Sequence, residues 1–226
     1  MKLRNKYYIM RHGQAISNVK RLCSSWPEEF NNPLTTMGKK AVKVAAETLK
    51  GKSITLIFHS PLKRTKMSAE IVGKILKIAP KPDKRLRELQ FGIFNNKGLD
   101  GMWNAFKTEE ERINKGSEGG ESYKEILDRM MDFLKETDEK YKGRNILIVS
   151  HECPLFLLQG KVMGFMIRET IEQFPTEKRI HKAEIRELNP YTKGEEDDDL
   201  LRRIKISQKE FKEGKGKILR SLEDLM

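Results

Sequence analysis

Short apolar runs of strand length alternate along the chain with longer segments in which apolar residues recur at helical spacing. The apolar runs predict strands at 7–10, 53–60, 145–149 and 183–188, with a short strand and loop over 81–89. The helical spacing predicts helices over 34–49, 62–76, 98–115, 121–143 and 154–163, whereas the polar stretch 14–32 predicts a long loop. Strands that alternate with helices indicate an α/β layered domain with a largely parallel sheet.

Two of the predicted strands end in a histidine. The first strand runs into Arg11-His12-Gly13, and the strand 145–149 runs into Ser150-His151. A lone histidine at a strand end is usually a structural residue, but here the arrangement occurs twice. Ligands of open α/β sheets bind outside the carboxyl ends of the strands, near the switch in strand order. This rule predicts that His12 and His151 lie close together despite their separation in sequence.

Further charged residues follow predicted strands and belong to the same expected rim. Arg64 follows Ser60-Pro61, and Glu88 lies in the loop after the short strand, where a surface ion pair with Arg85 or Arg87 is the alternative. Arginine guanidinium groups bind phosphate oxygens in pairs through charge-assisted hydrogen bonds. Two arginines and two histidines at one rim therefore predict a pocket for a small dianion, with phosphate as the natural ligand.

The composition is that of a soluble globular protein, with 37% hydrophobic and 35% charged residues. The net charge of +12 resides in residues 1–192, because 193–226 contain equal numbers of acidic and basic residues. The lysines are scattered and form no compact basic block, so we expect a small phosphorylated substrate and no nucleic acid. No window is apolar enough to span a membrane, and the first strand begins too early to leave room for a signal peptide, which predicts a cytoplasmic protein. Cys23 and Cys153 are expected to be reduced thiols.

The character of the chain changes after about residue 190. An acidic run at 195–199 precedes an amphipathic segment, which predicts a catalytic domain over 1–192 followed by an acidic linker and a helical appendage over 193–226. The acidic run lacks the spaced ligands and turn glycine of a calcium loop, and we predict no metal site. The apolar residues of the appendage either fold back on the domain or form the surface of a homodimer.

Several short segments occur in a fixed order along the chain. They are Arg11-His12-Gly13 with Asn18, the run Ser60-Pro61-Leu62-Lys63-Arg64-Thr65, Glu88 before Phe91-Gly92, Gly120-Glu121-Ser122, and Ser150-His151. Together they resemble the motifs of the histidine phosphatase superfamily, also called the phosphoglycerate mutase-like family, over about residues 6–190. The resemblance implies a three-layer α/β/α sandwich with a mostly parallel sheet and a helical cap insertion at about 92–122.

The resemblance implies a role for each residue of the expected pocket. His12 would attack phosphorus and become a phosphohistidine, and Glu88 would protonate the leaving oxygen. Arg11, Arg64 and His151 would hold the phosphate oxygens, with Asn18 as a neutral donor. No metal or other cofactor is implied.

The segment between Glu88 and His151 is shorter than in typical phosphoglycerate mutases, which favours a metal-independent phosphomonoester phosphatase. A cofactor-dependent phosphoglycerate mutase is the alternative, and a phosphate- or partner-binding module with little catalysis is the alternative from another class.

Glu152 departs from the family pattern, in which a glycine often follows the second histidine. A carboxylate that points inward would weaken phosphate binding, and it would either supply a second acid or repel highly charged substrates. We expect Glu152 to point to solvent, and we include it among the candidate substrate contacts because its backbone N–H remains beside the phosphate site.

Overall fold

The computed structural model describes residues 2–188. A five-stranded sheet has the order β3-β2-β4-β1-β5, in which β5 alone is antiparallel to its neighbour. The strands are β1 (Lys6–Arg11), β2 (Leu56–His59), β3 (Lys81–Pro82), β4 (Asn145–Ser150) and β5 (Ile185–Leu188). The predicted appendage at 193–226 lies outside the described residues.

Helices cover both faces of this sheet. They are α1 (Ile16–Lys20), α2 (Thr36–Thr48), α3 (Lys63–Leu76), α4 (Leu99–Asn104), α5 (Glu109–Asn114), α6 (Tyr123–Lys140), α7 (Glu152–Val162) and α8 (Ile167–Gln173). Single 3₁₀ turns occur at Lys50–Lys52, Lys84–Leu86, Gly92–Phe94 and Thr176–Lys178.

Successive residues of the central strands point into two separate cores, as the pleat of a sheet requires. In β1, Tyr7 and Ile9 pack with α6 and α7, whereas Tyr8 and Met10 pack with α2 and α3. All four side chains are buried, which is typical of a strand in a sheet covered on both faces. The predicted three-layer α/β/α sandwich with a mostly parallel sheet is thereby confirmed.

Local signals in the sequence account for the helix starts. Thr35 caps α2, since its hydroxyl accepts a hydrogen bond from the Gly38 N–H at 3.0 Å. Ser122 caps α6 and forms a capping box with Glu125. These two helices begin within two residues of the starts that the sequence predicts, at 34 and 121.

Several predicted elements differ in the structure. The segment 98–115 holds two six-residue helices instead of one, because Thr108 caps a new start by accepting from the Glu111 N–H at 3.2 Å. The predicted loop 14–32 contains the five-residue helix α1, and α7 begins at Glu152, two residues earlier than predicted. Helix α8 was not predicted, and α6 ends at Lys140, short of residue 143.

Candidate active site

Strand pairing brings the two predicted histidines together. Strands β1 and β4 are parallel neighbours in a register that pairs Arg11 with Ser150, so each histidine follows at the same sheet edge. The backbone N–H of His12 donates to the Ser150 carbonyl at 3.1 Å. The ring centroids of His12 and His151 are 5.1 Å apart in an edge-to-face arrangement. The expected convergence of these residues at the strand ends is what the structure shows.

The hydrogen bonds of His12 define its tautomer. Its Nδ1 lies 2.7 Å from the Gly13 carbonyl oxygen, which can only accept, so Nδ1 carries the proton. Its Nε2 therefore has a free lone pair, which accepts from the Arg64 Nε–H at 3.2 Å. The side chain is buried, with 2% of its surface exposed. This arrangement presents an unprotonated ring nitrogen to the pocket.

Gly13 allows close backbone packing. A Cβ at this position would lie 2.6 Å from the Gly38 carbonyl oxygen of α2 and 2.7 Å from a Val42 methyl group. The neighbour that requires a glycine at this position is therefore the start of α2. The packing of this helix against the strand end helps to fix His12.

Arg64 lies in the first turn of α3 and is held by a polar network. Its Nη2 donates to the Ser24 carbonyl at 2.8 Å and its Nη1 to the Ser24 hydroxyl at 3.2 Å. Nη1 is also 3.5 Å from a carboxylate oxygen of Glu28. Only 3% of Arg64 is exposed, and burial lowers its pKa to about 10. The sequence reasoning missed Ser24 and Glu28, which lie in the polar loop and carry no motif.

His151 is the N-cap residue of α7 and is completely buried. Its Nε2 lies 2.8 Å from the Ser60 hydroxyl oxygen, and its Nδ1 is 3.7 Å from Glu88 Oε2 with no hydrogen-bond partner among the described residues. Glu88 accepts from the Leu89 N–H at 2.9 Å and lines the pocket, so the alternative of a surface ion pair with Arg85 or Arg87 does not hold. The second histidine and the predicted acid thus face one another.

Arg11 meets Glu152, and this contact corrects the expectation that Glu152 points to solvent. Arg11 Nη1 donates to Glu152 Oε2 and, at 3.1 Å, to the Ile180 carbonyl. Arg179 Nη1 lies 3.6 Å from the other carboxylate oxygen of Glu152. The side chain of Glu152 is 25% exposed and lines the pocket. It turns inward because two guanidinium groups flank it.

Arg179 is a further site residue that the sequence reasoning missed. Its Nε donates to the Phe174 carbonyl at 3.1 Å, and its guanidinium carbon lies 4.2 Å from the centre of the Phe156 ring. The hydrophobic pattern around Arg179 predicts no element, and nothing distinguishes it among the 45 lysines and arginines of the chain. Only the fold brings it to the pocket.

The pocket has a volume of about 420 Å³ and a polar and an apolar side. Asn18 lies on its wall, where its side-chain oxygen accepts from the Ala15 N–H at 2.9 Å. Arg112 of α5 also lines it, with its guanidinium carbon 4.6 Å from the Trp103 ring centre. The apolar wall comprises Leu22, Leu89, Phe91, Leu99, Met102 and Trp103.

Burial and the arginines shift the titration of the central groups. Desolvation lowers the pKa of His12 well below its usual value, and the charges of Arg64 and Arg11 lower it further. The pKa of His151 is lowered for the same first two reasons, burial and then Arg64. Burial raises the pKa of Glu88, although Arg64 opposes this shift. The site therefore favours neutral imidazoles beside a carboxyl group that retains its proton to a higher pH than an exposed one.

The remaining histidines lie outside the site, as expected. His59 is buried with its Nδ1 2.7 Å from the Ser60 carbonyl oxygen, whereas His181 is exposed. Within residues 2–188, no cluster of three or more His, Cys, Asp or Glu residues is arranged to hold a metal ion. In the same part of the chain, no helix has the length and apolar character needed to cross a membrane.

Comparisons with known proteins agree with this geometry. The family model of the histidine phosphatase superfamily (branch 1) matches residues 7–195. Proteins named probable phosphoglycerate mutase GpmB from Photorhabdus laumondii and from Yersinia pestis are each 30% identical to this chain over 162 residues. These alignments cover 70% of this chain and 74% of each relative.

Solved structures share the fold. A mycobacterial glucosyl-3-phosphoglycerate phosphatase in complex with VO3 aligns with a TM-score of 0.70 and 19% identity, over 80% of this chain and 91% of that one. The alpha-ribazole phosphatase from Shigella flexneri aligns with a TM-score of 0.67 and 23% identity, over 80% and 89% of the two chains. With a buried histidine pair, two arginines and a carboxyl group at the strand ends, and with the family model matching most of its length, this chain belongs to the histidine phosphatase superfamily.

Proposed function

We propose that this protein is a metal-independent phosphomonoester hydrolase that acts through a phosphohistidine intermediate on a small phosphorylated metabolite. The observation that carries the proposal is the state of His12. Its Nδ1–H is bound to a backbone carbonyl, and its unprotonated Nε2 accepts a hydrogen bond from the Nε–H of Arg64. A buried, unprotonated and oriented imidazole nitrogen is what nucleophilic attack on phosphorus requires.

In the first step, the Nε2 lone pair of His12 forms a bond to phosphorus as the bond from phosphorus to the ester oxygen breaks. The departing oxygen takes the electron pair of that bond and receives the proton of Glu88. Arg11 and Arg64 stabilise the negative charge on the oxygens of the transferring group. Positioning and electrostatic stabilisation of this kind supply most of the rate enhancement in phosphoryl transfer. In the second step, a water molecule gives a proton to the Glu88 carboxylate while the water oxygen attacks phosphorus. The bond between phosphorus and His12 Nε2 breaks, which releases inorganic phosphate and neutral His12.

A phosphoglycerate mutase is the second candidate, and the names of the relatives favour it. The two reactions differ in what attacks the phosphohistidine, which is water in a hydrolase and a substrate hydroxyl group in a mutase. The two cap helices α4 and α5 have only six residues each. A small cap admits water to the pocket, which supports the hydrolase.

The proposal is tested by phosphate release from an aryl phosphate in the presence of a chelator. We expect the native protein to release phosphate and His12→Ala to lose at least about 10³-fold in rate. The matched control is His181→Ala, because the side chain of that histidine is exposed and does not line the pocket. Equal rates for native protein and His12→Ala would contradict the proposal. If the protein, primed by the bisphosphoglycerate, interconverted phosphoglycerates faster than it released phosphate, the mutase would be favoured instead.

A cytoplasmic location is part of this proposal. It is supported by Cys23 and Cys153, which are both free thiols in the structure and are the only cysteines of the chain.

A further inference from the structure

The carboxylate of Glu152 occupies a position in the pocket where two arginines would otherwise attract an anion. One of its oxygens accepts from Arg11 Nη1, and the other lies 3.6 Å from Arg179 Nη1. Such a pair of guanidinium groups is the usual protein environment of a phosphate or carboxylate group. Here the chain itself supplies the negative charge.

The two arginines are fixed independently of Glu152. Arg11 Nη1 donates to the Ile180 carbonyl at 3.1 Å, and Arg179 donates to the Phe174 carbonyl while its guanidinium lies over the Phe156 ring. A substitution of Glu152 would therefore leave the positive charges in place. The position between them would then be open to an anionic group of a ligand.

Glu152 is itself held at this position by its helix. It is the first residue of α7, and most of the residues that follow it in this helix are buried. A carboxylate in the first turn is also stabilised by the partial positive charge of the helix N-terminus. The carboxylate is thus part of the pocket wall beside the predicted phosphate site.

We propose that Glu152 is a specificity residue that excludes phosphate esters with a second anionic group close to the phosphate. The inference rests on the proposed binding of phosphate beside His12. A phosphate dianion beside His12 keeps Arg64 and the Arg11 Nε–H, which has no hydrogen-bond partner among the described residues. A second anion would instead meet the carboxylate between Arg11 Nη1 and Arg179 Nη1. The favoured substrates have an uncharged group next to the ester, and the apolar wall of the pocket suits the same class.

The test compares two phosphonates of nearly equal shape that cannot be hydrolysed. One is 3-phosphonopropionate, which carries a carboxylate as its second group. The other is the corresponding carboxamide, in which the second group is uncharged and the phosphonate is unchanged. Calorimetric titration gives the dissociation constant of each for the native protein and for Glu152→Gln. Since juxtaposed like charges are strongly unfavourable, we expect the native protein to prefer the carboxamide by about tenfold or more, and Glu152→Gln to lose this preference.

The matched control is Glu28→Gln, which removes one negative charge near Arg64 instead of Arg11. It should change the affinity for both phosphonates alike and keep their ratio. The inference would be overturned if the ratio of the two dissociation constants were the same in Glu152→Gln as in the native protein. It would also be overturned if none of the three proteins bound either phosphonate. Hydrolysis of the aryl phosphate decides the proposed function separately, because it requires no second anionic group.

Discussion

Acidification should destabilise this protein through its two active-site histidines. His12 and His151 are buried, and burial is the first cause that lowers the pKa of each in the folded state. In the unfolded chain both return to the usual value of about 6.5. Below that pH the unfolded chain binds protons that the folded protein does not, so the free energy of unfolding falls as the pH falls.

The size of the effect follows from this linkage. Consider a group with a pKa of about 6.5 that titrates only in the unfolded chain. Lowering the pH from 7.5 to 5.5 then raises the equilibrium constant for unfolding about tenfold, which lowers the free energy of unfolding by about 1.4 kcal/mol. The two histidines together contribute about 2.8 kcal/mol, a large share of the roughly 5–15 kcal/mol of a typical domain. His59, whose pKa burial also lowers, adds to this loss. Glu88, whose pKa burial raises, opposes it.

The assay is urea unfolding at the two pH values for the native protein and four variants. His12→Asn keeps a donor for the Gly13 carbonyl, and His151→Gln keeps a partner for the Ser60 hydroxyl group. Each variant should lose about 1.4 kcal/mol less than the native protein between pH 7.5 and 5.5, and the double variant about 2.8 kcal/mol less. His181→Gln, at the surface, should follow the native protein. Equal pH dependence in the native protein and the double variant would refute the reasoning, since the histidines would then titrate alike in both states.

Three further predictions concern the acid and the packing. Glu88→Gln should lower kcat/KM for an alkyl phosphate, whose leaving oxygen needs a proton, by about 10²–10⁴-fold. The kcat/KM for an aryl phosphate, which has a better leaving group, should fall less. An unchanged rate with the alkyl phosphate would exclude Glu88 as the acid. In the native protein, kcat/KM should fall as the pH rises through the raised pKa of Glu88, because the proton donor is lost, and a pH–rate profile checks this. Gly160→Ala should destabilise the protein by about 1–3 kcal/mol, because the added Cβ would lie 2.1 Å from the hydroxyl oxygen of Thr170. Gly51→Ala is the control. A Cβ at Gly51 meets no atom within 4 Å, so this variant should leave the Tm nearly unchanged. Thermal unfolding compares the two alanine variants.

The strands and long helices could be predicted because their signals are local. A buried parallel strand contains a continuous apolar run, as residues 146–149 of β4 do, and a capping residue marks a helix start, as Ser122 does for α6. The short helices were harder to predict. Helices α1, α4 and α5 have five or six residues each, so they show at most two turns of periodicity and depend on the packing around them.

The polar partners of the site could not be predicted in the same way. Ser24 holds Arg64, and Ser60 lies against His151, at sequence separations of 40 and 91 residues. A hydrogen bond over such a distance depends on the path of the intervening chain, which local propensity does not specify. The same applies to the inward orientation of Glu152, which Arg11 and Arg179 decide together.

The sequence by itself determined the alternation of strands and helices, the histidines at two strand ends, and the arginines and glutamate that accompany them. It did so because propensity and hydrophobic periodicity act between residues close in the chain. The tertiary structure alone decided that β1 and β4 are neighbours in the register that places His12 beside His151, and that Arg179 meets Glu152. Those contacts arise from the burial of the whole sheet between two helical layers, which is a property of the complete domain.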